Sequence, residues 1–247
     1  MKKIICAILA CSMCVAAALS FTGCGCNNEN SKKQTNNKSD GPGYVVPTTE
    51  PDLKDDNFGY YIINSKELML TRYYGNGGKV EIPATFQSYS VSIIGHSVFN
   101  GKNLEEVVIP DSVTEIQDYA FAGNKTLKSV KLSSKLRVLG INSFFNCRAL
   151  EQIELPASLK EIGTYAFCGT GLKSVVIPES QTLSSLPQFC FFQCESLTEV
   201  TIPVTITKIP ADTFRDCSKD LKIKAYSGSY GLNYAKKNGF KYEELKR

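Results

Sequence analysis

Short apolar runs recur along the chain with a constant internal pattern. Each run starts with Leu and is apolar again at its fourth and sixth places, which alternate with a variable residue. An alternation of period two predicts a β-strand with one apolar face. Four of the five runs end in Pro, which withholds an amide and therefore ends the strand. The runs occupy residues 104–110, 127–133, 150–156, 172–178 and 197–203.

A second apolar pair and a phenylalanine complete each unit. The pairs are Val113 and Ile116, Leu136 and Leu139, Leu159 and Ile162, Leu183 and Leu186, and Ile206 and Ile209. The phenylalanines, which recur at nearly even intervals, are Phe99, Phe121, Phe144, Phe167, Phe191 and Phe214. The pattern predicts a strand, a turn, a second short extended piece and an aromatic-bearing turn in every unit, with an insertion within 179–186.

One such unit is too small to fold alone. Its few apolar side chains do not offset the entropy lost by ordering its backbone. Stacking gives each unit two neighbours and adds hydrogen bonds between strands, and this is how a solenoid is stabilised. The recurrence therefore predicts an elongated stack with the six rings in register along its interior.

The unit at 150–168, LEQIELPASLKEIGTYAFC, resembles the BspA-like, Treponema-type leucine-rich repeat, whose pattern is similar to LxxIxLPxxLxxIGxxAFxxC. The resemblance covers about Phe58 to Leu245. It implies a leucine-rich repeat solenoid, α/β or mainly β, with a parallel sheet built from six repeats of roughly 22 to 24 residues. Ser133 departs from the pattern at a strand-ending Pro, and Pro187 and Pro210 stand where other units have Gly140 and Gly163.

The ends of the repeat array need caps, because a solenoid otherwise exposes its core. We expect repeats over 99–220 and an N-terminal cap over 52–98, with hairpin strands at 60–64, 67–73 and 79–82. In the C-terminal cap, 221–247, Ser229 is expected to cap a short helix at 230–238. Gly239 follows at the C′ position, and 240–242 reads as a final extended piece.

The segment from Met1 to Gly23 has the three parts of a secretory signal. Lys2 and Lys3 precede an apolar run, and small residues stand just before Cys24. The tetrapeptide Phe21-Thr22-Gly23-Cys24 resembles the lipobox of bacterial lipoproteins, although Phe21 replaces the usual Leu. The resemblance implies that Cys24 receives a diacylglycerol and becomes the new N-terminus. The alternative is an ordinary secretory peptide with a Cys near its cleavage site.

The segment from Cys24 to residue 51 is predicted to be a tether. It is rich in Asn, Lys, Ser, Thr, Gly and Pro and has almost no large apolar side chain, so it cannot form a core. Its r.m.s. reach is roughly 30 Å. A diacylglyceryl group supplies the two acyl chains that stable membrane attachment requires. We therefore expect an extracytoplasmic, membrane-anchored protein at the bacterial cell surface.

Charge and composition exclude several functions. The net charge is +4 in 247 residues, and without the two leader lysines 26 basic residues face 24 acidic ones. Proteins that bind nucleic acid usually show a larger basic excess. The chain has one His and no Trp, and it contains no phosphate-binding loop or separate carboxylate pair. We expect no cofactor and no enzymatic activity.

The cysteines of the repeats leave more than one interpretation open. Cys147, Cys194 and Cys217 each stand three residues after an aligned phenylalanine, which favours an interior column of small side chains. Cys194 and Cys217 are also close enough in adjacent turns for a disulfide. A zinc site is disfavoured because Cys190 and Cys194 lack a paired motif. A cysteine hydrolase would need a base near a thiol, and His96 is expected on the surface of the first repeat.

The residues that alternate with the core positions define a candidate binding face. They form two rows across the sheet, Val108, Lys131, Glu154, Val176 and Thr201 in one and Glu106, Ser129, Gln152, Ser174 and Glu199 in the other. The aromatic-turn side and the ends are alternative surfaces. The family resemblance implies a protein-binding or adhesion module with an extracellular or cell-surface protein as partner. A structural envelope spacer or scaffold is the alternative function.

Overall fold

In a computed structural model, which describes residues 50–246, the six phenylalanines form one continuous stack. Neighbouring ring centroids lie 5.0 to 5.7 Å apart, and the ring planes differ by 3° to 10°. All six side chains are buried. The spacing of the rings along the sequence therefore sets one turn of a solenoid, as predicted.

The described residues form fifteen strands and one helix. The strands are β1 (Leu53–Lys54), β2 (Phe58–Ile62), β3 (Glu67–Tyr73), β4 (Gly78–Glu81), β5 (Thr85–Phe86), β6 (Tyr89–Ile94), β7 (Leu104–Val108), β8 (Glu115–Ile116), β9 (Ser129–Lys131), β10 (Val138–Leu139), β11 (Glu161–Ile162), β12 (Ser174–Val176), β13 (Glu199–Ile202), β14 (Lys222–Tyr226) and β15 (Lys241–Leu245), and the helix is α1 (Tyr230–Lys237).

The turns contribute strands to two different parallel arrays. The first array contains the sheet β4-β7-β9 and the sheet β12-β13-β14-β15. The second array runs β3-β6-β8-β10-β11 and is extended at its N-terminal end by the antiparallel strands β1 and β2. Equivalent residues of successive repeats pair, such as Val107 with Val130, so every turn points the same positions into the core.

Four of the five predicted first-array strands are present, and the prediction for 150–156 is wrong. Residues 151–156 have no strand assignment, although Ile153 and Leu155 are buried as the pattern predicts. The hydrophobic alternation fixes which side chains point inward. It does not fix the distance from one main chain to the next, and that distance decides whether a strand forms.

The two prolines that depart from the repeat pattern account for the end of the second array. In earlier turns the amide at this place donates to the preceding turn, as from Gly140 N to Ile116 O and from Gly163 N to Leu139 O, both at 2.7 Å. Pro187 and Pro210 have no amide hydrogen to donate. The array accordingly stops at β11, and only an isolated bridge between Ser185 and Lys208 follows in the described chain.

Both ends of the ring stack are closed by further aromatic side chains. Phe99 meets Tyr73 at 5.0 Å and Phe58 at 6.5 Å, and both belong to the antiparallel hairpin β2–β3. At the other end Phe214 meets Phe240 at 6.2 Å. These contacts let the hairpin and the C-terminal segment cover the terminal turns.

The C-terminal cap has the predicted helix signals. Ser229 Oγ accepts a hydrogen bond from Leu232 N at 3.2 Å, and α1 ends before Gly239, whose φ is +74°. The final extended piece, β15, pairs in parallel with β14. At the N-terminal end β4 and β6 also pair in parallel with repeat strands. The parallel arrays therefore extend on both sides beyond the predicted repeat boundaries of 99 and 220.

The turn around each phenylalanine requires left-handed backbone. The residue two places after the ring has a φ between 56° and 71° in all six turns, and the residue two places before it has a φ between 54° and 60° in five. The first set comprises Gly101, Gly123, Asn146, Gly169, Gln193 and Asp216, and the second Ser97, Tyr119, Asn142, Tyr165 and Phe189. This left-handed conformation is unfavourable for most residues, so the stacked rings and the hydrogen bonds of the turn hold the backbone in place.

We expect Gly163→Ala to lower the free energy of unfolding by about 3 kcal/mol, because an added Cβ has no space. It would overlap Ile141 N and lie 2.5 Å from the carbonyl carbon of Gly140. Gly169→Ala is the matched control, since its Cβ would meet nothing closer than 3.6 Å and only its φ of +66° opposes the change. That variant should lose about 1 to 2 kcal/mol. Urea unfolding measures both, and an equal or smaller loss at Gly163 contradicts the close approach of the turns.

Candidate binding face

The two predicted rows lie on the outer side of the first array. Their residues are exposed or half-exposed, because the strand alternation turns them away from the buried neighbours such as Val107, Val130 and Val175. Val176 and Val108 are the prominent apolar members, with 62% and 38% of their surface exposed. Gln152 and Glu154 are exposed like the other row residues, although they do not lie in a strand. Their role in binding stays a prediction.

Ion pairs run across this face between neighbouring strands. Lys79 Nζ lies 3.0 Å from Glu106 Oε1, Lys173 pairs with Glu151, and Lys224 Nζ lies 2.9 Å from Glu199 Oε2. The hydrogen bond from Lys224 to Glu199 raises the pKa of this lysine. Exposed pairs of this kind contribute little to stability. A binding partner can therefore exchange them for its own charges at little cost.

The first array is interrupted after its third strand, β9. Between β7 and β9, Lys128 N donates to Glu105 O at 2.8 Å and Ile109 N donates to Lys131 O at 2.9 Å. The equivalent bonds one turn later, from Glu151 N to Lys128 O and from Leu132 N to Glu154 O, are not formed. No backbone hydrogen bond joins residues 128–132 to residues 151–155 within the described chain. We call this gap, between residues 128–132 and residues 151–155, the seam.

The interruption continues on the far side of the seam. Lys173 N donates to Glu151 O at 3.0 Å, which keeps the start of the segment attached to the next repeat. Further along, Ile177 N donates to Thr201 O at 2.9 Å, but the equivalent amide, Leu155 N, has no backbone acceptor among residues 50–246. The segment 152–155 therefore makes no main-chain hydrogen bond with either neighbouring strand.

The core side chains beside the seam are more accessible than their equivalents elsewhere. Val130, Leu132, Ile153 and Leu155 are 8% to 9% exposed, whereas Val107, Ile109, Val175 and Ile177 are 1% to 2% exposed. A groove of about 980 Å³ lies over them. Its lining includes six of the ten row residues, Glu106, Val108, Ser129, Lys131, Gln152 and Glu154. The predicted face thus contains an opening that reaches the edge of the core.

The walls of the groove carry charges that no ion pair satisfies. Lys128 and Lys131 lie on the β9 wall, and Glu154 lies on the opposite wall. None of the three forms a salt bridge with another residue in the range 50–246. The groove therefore combines an apolar floor with one positive and one negative wall.

The aromatic-turn side, the alternative surface, has a different character. Tyr165 and Phe189 stack at 4.9 Å, and Phe192 meets them edge-on at 6.4 and 5.6 Å. All three are half-buried. One face of Tyr165 and one face of Phe189 are therefore used within this cluster.

The repeat cysteines lie in the interior, as the favoured interpretation predicted. Cys147, Cys168, Cys190 and Cys194 are buried and Cys217 is half-buried, and these five form no disulfide within the described chain. At the recurring position the thiol also donates a hydrogen bond to the phenylalanine carbonyl of the preceding turn. The acceptors are Phe121 O for Cys147 at 3.2 Å, Phe167 O for Cys194 at 3.0 Å and Phe191 O for Cys217 at 3.0 Å.

Asn124 and Thr170 occupy the same position in two further turns, and the exposed Lys102 occupies it in the first turn. Asn124 Nδ2 donates to Phe99 O at 2.7 Å and Phe121 O at 2.8 Å, and Thr170 Oγ1 donates to Phe167 O at 2.9 Å. The sequence interpretation treated this column as small and apolar and so missed its role as a row of buried donors. The signal was present, because Asn, Cys and Thr all carry a donor and alternate at the third place after the ring.

The thiols are poorly suited to nucleophilic catalysis. Burial raises the pKa of Cys147 to about 12 and that of Cys194 to about 11, and it raises the pKa of Cys190 well above its usual value. The reactive form is the thiolate, which these positions disfavour. His96 is exposed and its ring lies 5.7 Å from that of Tyr119, in edge contact. Residues 50–246 contain no cluster of His, Cys, Asp or Glu that is able to hold a metal ion.

The predicted lipidation residue, Cys24, lies outside the described residues, as do the signal and most of the tether. Within residues 50–246 no helix is long and apolar enough to cross a membrane. Cys24 therefore stays a prediction of the sequence.

Comparisons with known proteins agree with the repeat geometry. The model of a family described as "BspA type Leucine rich repeat region (6 copies)" matches residues 92–245. A comparison with curated proteins found no match.

Among solved structures, a leucine-rich repeat protein from Bacteroides ovatus is 26% identical, with a TM-score of 0.62 over 79% of this chain and 53% of that one. A leucine rich cell surface protein from Faecalibacterium prausnitzii is 28% identical, with a TM-score of 0.57 over 70% and 54%. A leucine-rich repeat protein from T. pallidum shows the same fold at 24% identity, with a TM-score of 0.59 over 77% and 97%. The chain thus spans about half the length of the first two proteins. With its six stacked rings and the family match over 92–245, the chain belongs to the BspA-type leucine-rich repeat family.

Proposed function

We propose that this chain is a lipid-anchored bacterial surface protein whose solenoid binds another protein through the outer face of the first array. The observation that carries the proposal is the groove of about 980 Å³, whose walls are formed by exposed row residues. Solenoids of this kind bind partners through extended surfaces. The F. prausnitzii relative, described as a cell surface protein, supports the location.

The chemistry of the face suits a protein partner. Val108 and Val176 supply apolar contact area, and the surrounding lysines and glutamates of both signs supply polar contacts. Protein interfaces combine these two elements, an apolar centre with a polar rim. We propose adhesion to a protein of a host or neighbouring cell as the outcome of this binding.

We expect Cys24→Ala to release the chain from the membrane fraction. The substitution removes the thiol that would carry the diacylglyceryl group, and with it the two acyl chains that hold a protein stably on a bilayer. Fractionation of producing cells followed by immunoblotting measures the distribution of the chain between membranes, periplasm and medium.

Cys26→Ala is the matched control, since this cysteine lies two residues further along the same predicted tether. It should leave membrane association unchanged. If Cys24→Ala also stays with the membranes, the lipoprotein assignment is wrong and another anchor holds the chain there.

Capture on intact cells separates the adhesion module from the envelope spacer. The tagged full chain is presented on its producing cells, mixed with candidate neighbouring or host cells, cross-linked and purified. Recovery of proteins from the other cells supports the proposed function. Recovery of the producer's own envelope components alone supports the spacer.

A further inference from the structure

We propose that a basic recess at one corner of the solenoid binds a sulfate or phosphate group carried by a sugar chain. The recess has a volume of about 530 Å³ and lies where three successive turns pass from the first array to the second. None of the ten row residues lines it. The inference therefore goes beyond the proposed function and concerns a second site, separate from the outer face of the first array.

The insertion predicted from the sequence forms one wall of the recess. The corner 178–183 has two residues more than the corner 156–159 of the preceding turn. Ser180, within the insertion, is buried, and its Oγ donates a hydrogen bond to Leu159 O at 2.7 Å. Thr182 Oγ1 donates to the same carbonyl at 3.3 Å. These bonds attach the insertion to the preceding turn, so the wall is a fixed part of the solenoid.

Small side chains line the middle turn of the recess. Ala157 and Ser158 leave space beside the insertion that larger side chains would fill. Ser158 Oγ donates to Leu136 O at 2.6 Å and lies 2.9 Å from Ser134 O, which joins the middle turn to the preceding one. The shape of the recess is therefore set by the path of the main chain and is present before a ligand binds.

Basic side chains occupy the two turns before the insertion. Lys160 N donates to Arg137 O at 2.8 Å, and the next residues, Val138 and Glu161, pair in register between β10 and β11. Arg137 and Lys160 thus hold the same position in adjacent turns, with their main chains about 4.8 Å apart. Lys135 stands two residues before Arg137, and the buried residue between them leaves both exposed. The three cations line one recess.

No salt bridge offsets these charges. Arg137, Lys160 and Lys135 form none with another residue in the range 50–246. Glu179 is the acidic member of the lining, and Asp111 lies near Lys135 but outside the lining. The lining therefore carries three positive charges against one negative charge. Like charges at opposite positions of a sheet repel each other, and a bound anion removes this repulsion.

The donors suit an anion with three free oxygens. A guanidinium group binds two oxygens with its planar fork, and each ammonium group binds a further one. A sulfate or phosphate ester offers three such oxygens, whereas a carboxylate offers two. A sulfate or phosphate group is therefore able to contact all three cations together.

The rest of the lining favours a sugar chain as the carrier of this group. Ser134, Gln181 and Thr182 supply hydroxyl and amide groups that are able to hydrogen-bond to sugar hydroxyls, and the lining contains no large apolar or aromatic side chain. Protein interfaces usually depend on such large side chains. The occupant is accordingly the charged group of a sulfated or phosphorylated glycan.

The first test compares polymers that differ only in their charged group. Binding of the full chain to dextran sulfate, dextran phosphate and neutral dextran is measured by biolayer interferometry at low salt, because salt screens exposed charges. Polyglutamate is included as an acidic peptide. We expect at least one charged dextran to bind, with the two affinities showing which group is preferred, neutral dextran not to bind, and polyglutamate to bind more weakly. Binding of neither charged dextran, or binding of polyglutamate at least as tightly, would overturn the proposal.

The second test locates the binding on the solenoid. We expect Arg137→Ala and Lys160→Ala each to weaken charged-dextran binding at least about fivefold. Lys125→Ala is the matched control, since this lysine is exposed, forms no salt bridge within residues 50–246 and lies outside the recess. Its removal should leave binding unchanged. Circular dichroism verifies that all variants fold.

A change of opposite sign completes the test. Glu179→Gln removes the negative charge of the lining and should tighten charged-dextran binding about threefold. Glu195→Gln, which neutralises an exposed glutamate outside the recess, should have no effect. Equal effects of Lys125→Ala and Lys160→Ala, or of Glu195→Gln and Glu179→Gln, would show that only the overall charge attracts the polymer, and the recess would not be the site.

Discussion

Phe144→Ala is expected to lower the free energy of unfolding by about 3 to 5 kcal/mol. The ring is fully buried and lies 5.2 Å from Phe121 on one side and 5.7 Å from Phe167 on the other. Its removal breaks two ring contacts at once and leaves a cavity between turns whose main chains are tied by hydrogen bonds, so they cannot close around it. Urea unfolding monitored by circular dichroism measures the loss.

Phe145→Ala is the matched control for this prediction. Phe145 is the next residue, is half-buried and takes no part in the ring stack. Its truncation should cost clearly less, about 1 to 2 kcal/mol. A loss at Phe144 no larger than at Phe145 would mean that the stack does not hold the turns together.

Asn124→Ala is expected to cost about 2 to 4 kcal/mol, the second largest effect. The side chain is fully buried and makes three hydrogen bonds, donating from Nδ2 to the carbonyls of Phe99 and Phe121 and accepting from Leu104 N at 3.1 Å. Alanine leaves the Leu104 amide and part of the bonding capacity of the two carbonyls unsatisfied inside the core. Each such buried group costs about 1 to 3 kcal/mol. Thermal and urea unfolding both report this loss.

Asn124→Thr tests the cause of that loss. Thr170 stands at the equivalent position two turns later and donates to Phe167 O. A threonine at 124 should therefore retain one donor and recover about half of the stability lost in Asn124→Ala. If the two variants are equally unstable, side-chain volume rather than hydrogen bonding explains the effect.

The sequence predicted the stack because its physical cause is local and repeated. Evenly spaced rings and a period-two apolar pattern specify which side chains enter the core, and both caps carry recognisable turn and capping residues. The structure confirms the register of all six rings and the Ser229 cap.

The sequence pattern did not predict the seam. Residues 150–156 follow the repeat pattern closely, yet they form no strand. The hydrophobic pattern determines the direction of each side chain, whereas strand pairing depends on the spacing between neighbouring main chains. That spacing arises from the packing of whole turns. The rows of the candidate face were therefore predictable, but the groove that interrupts them was not.

The left-handed turns and the donor column were missed because they depend on backbone geometry. Tyr165 and Phe189 adopt φ values of 60° and 57°, which their residue types do not suggest. Asn124, Cys147 and Thr170 look unrelated in the sequence until the phenylalanine carbonyls of their own or the preceding turn are in place. Cys24 and the tether remain predictions, since they lie outside the described residues.

Photo-cross-linking from the two sides of the solenoid tests the central claim most directly. A photoreactive amino acid replaces Val108 in the groove or Ile141 on the aromatic-turn side; these side chains have similar exposure, 38% and 44%. The full chain is irradiated on producing cells mixed with candidate host or neighbouring cells. We expect a protein of the other cells to be cross-linked from position 108 and not from position 141. Cross-linking from position 141 alone, or from neither position, would contradict the assignment of the outer sheet face as the binding surface.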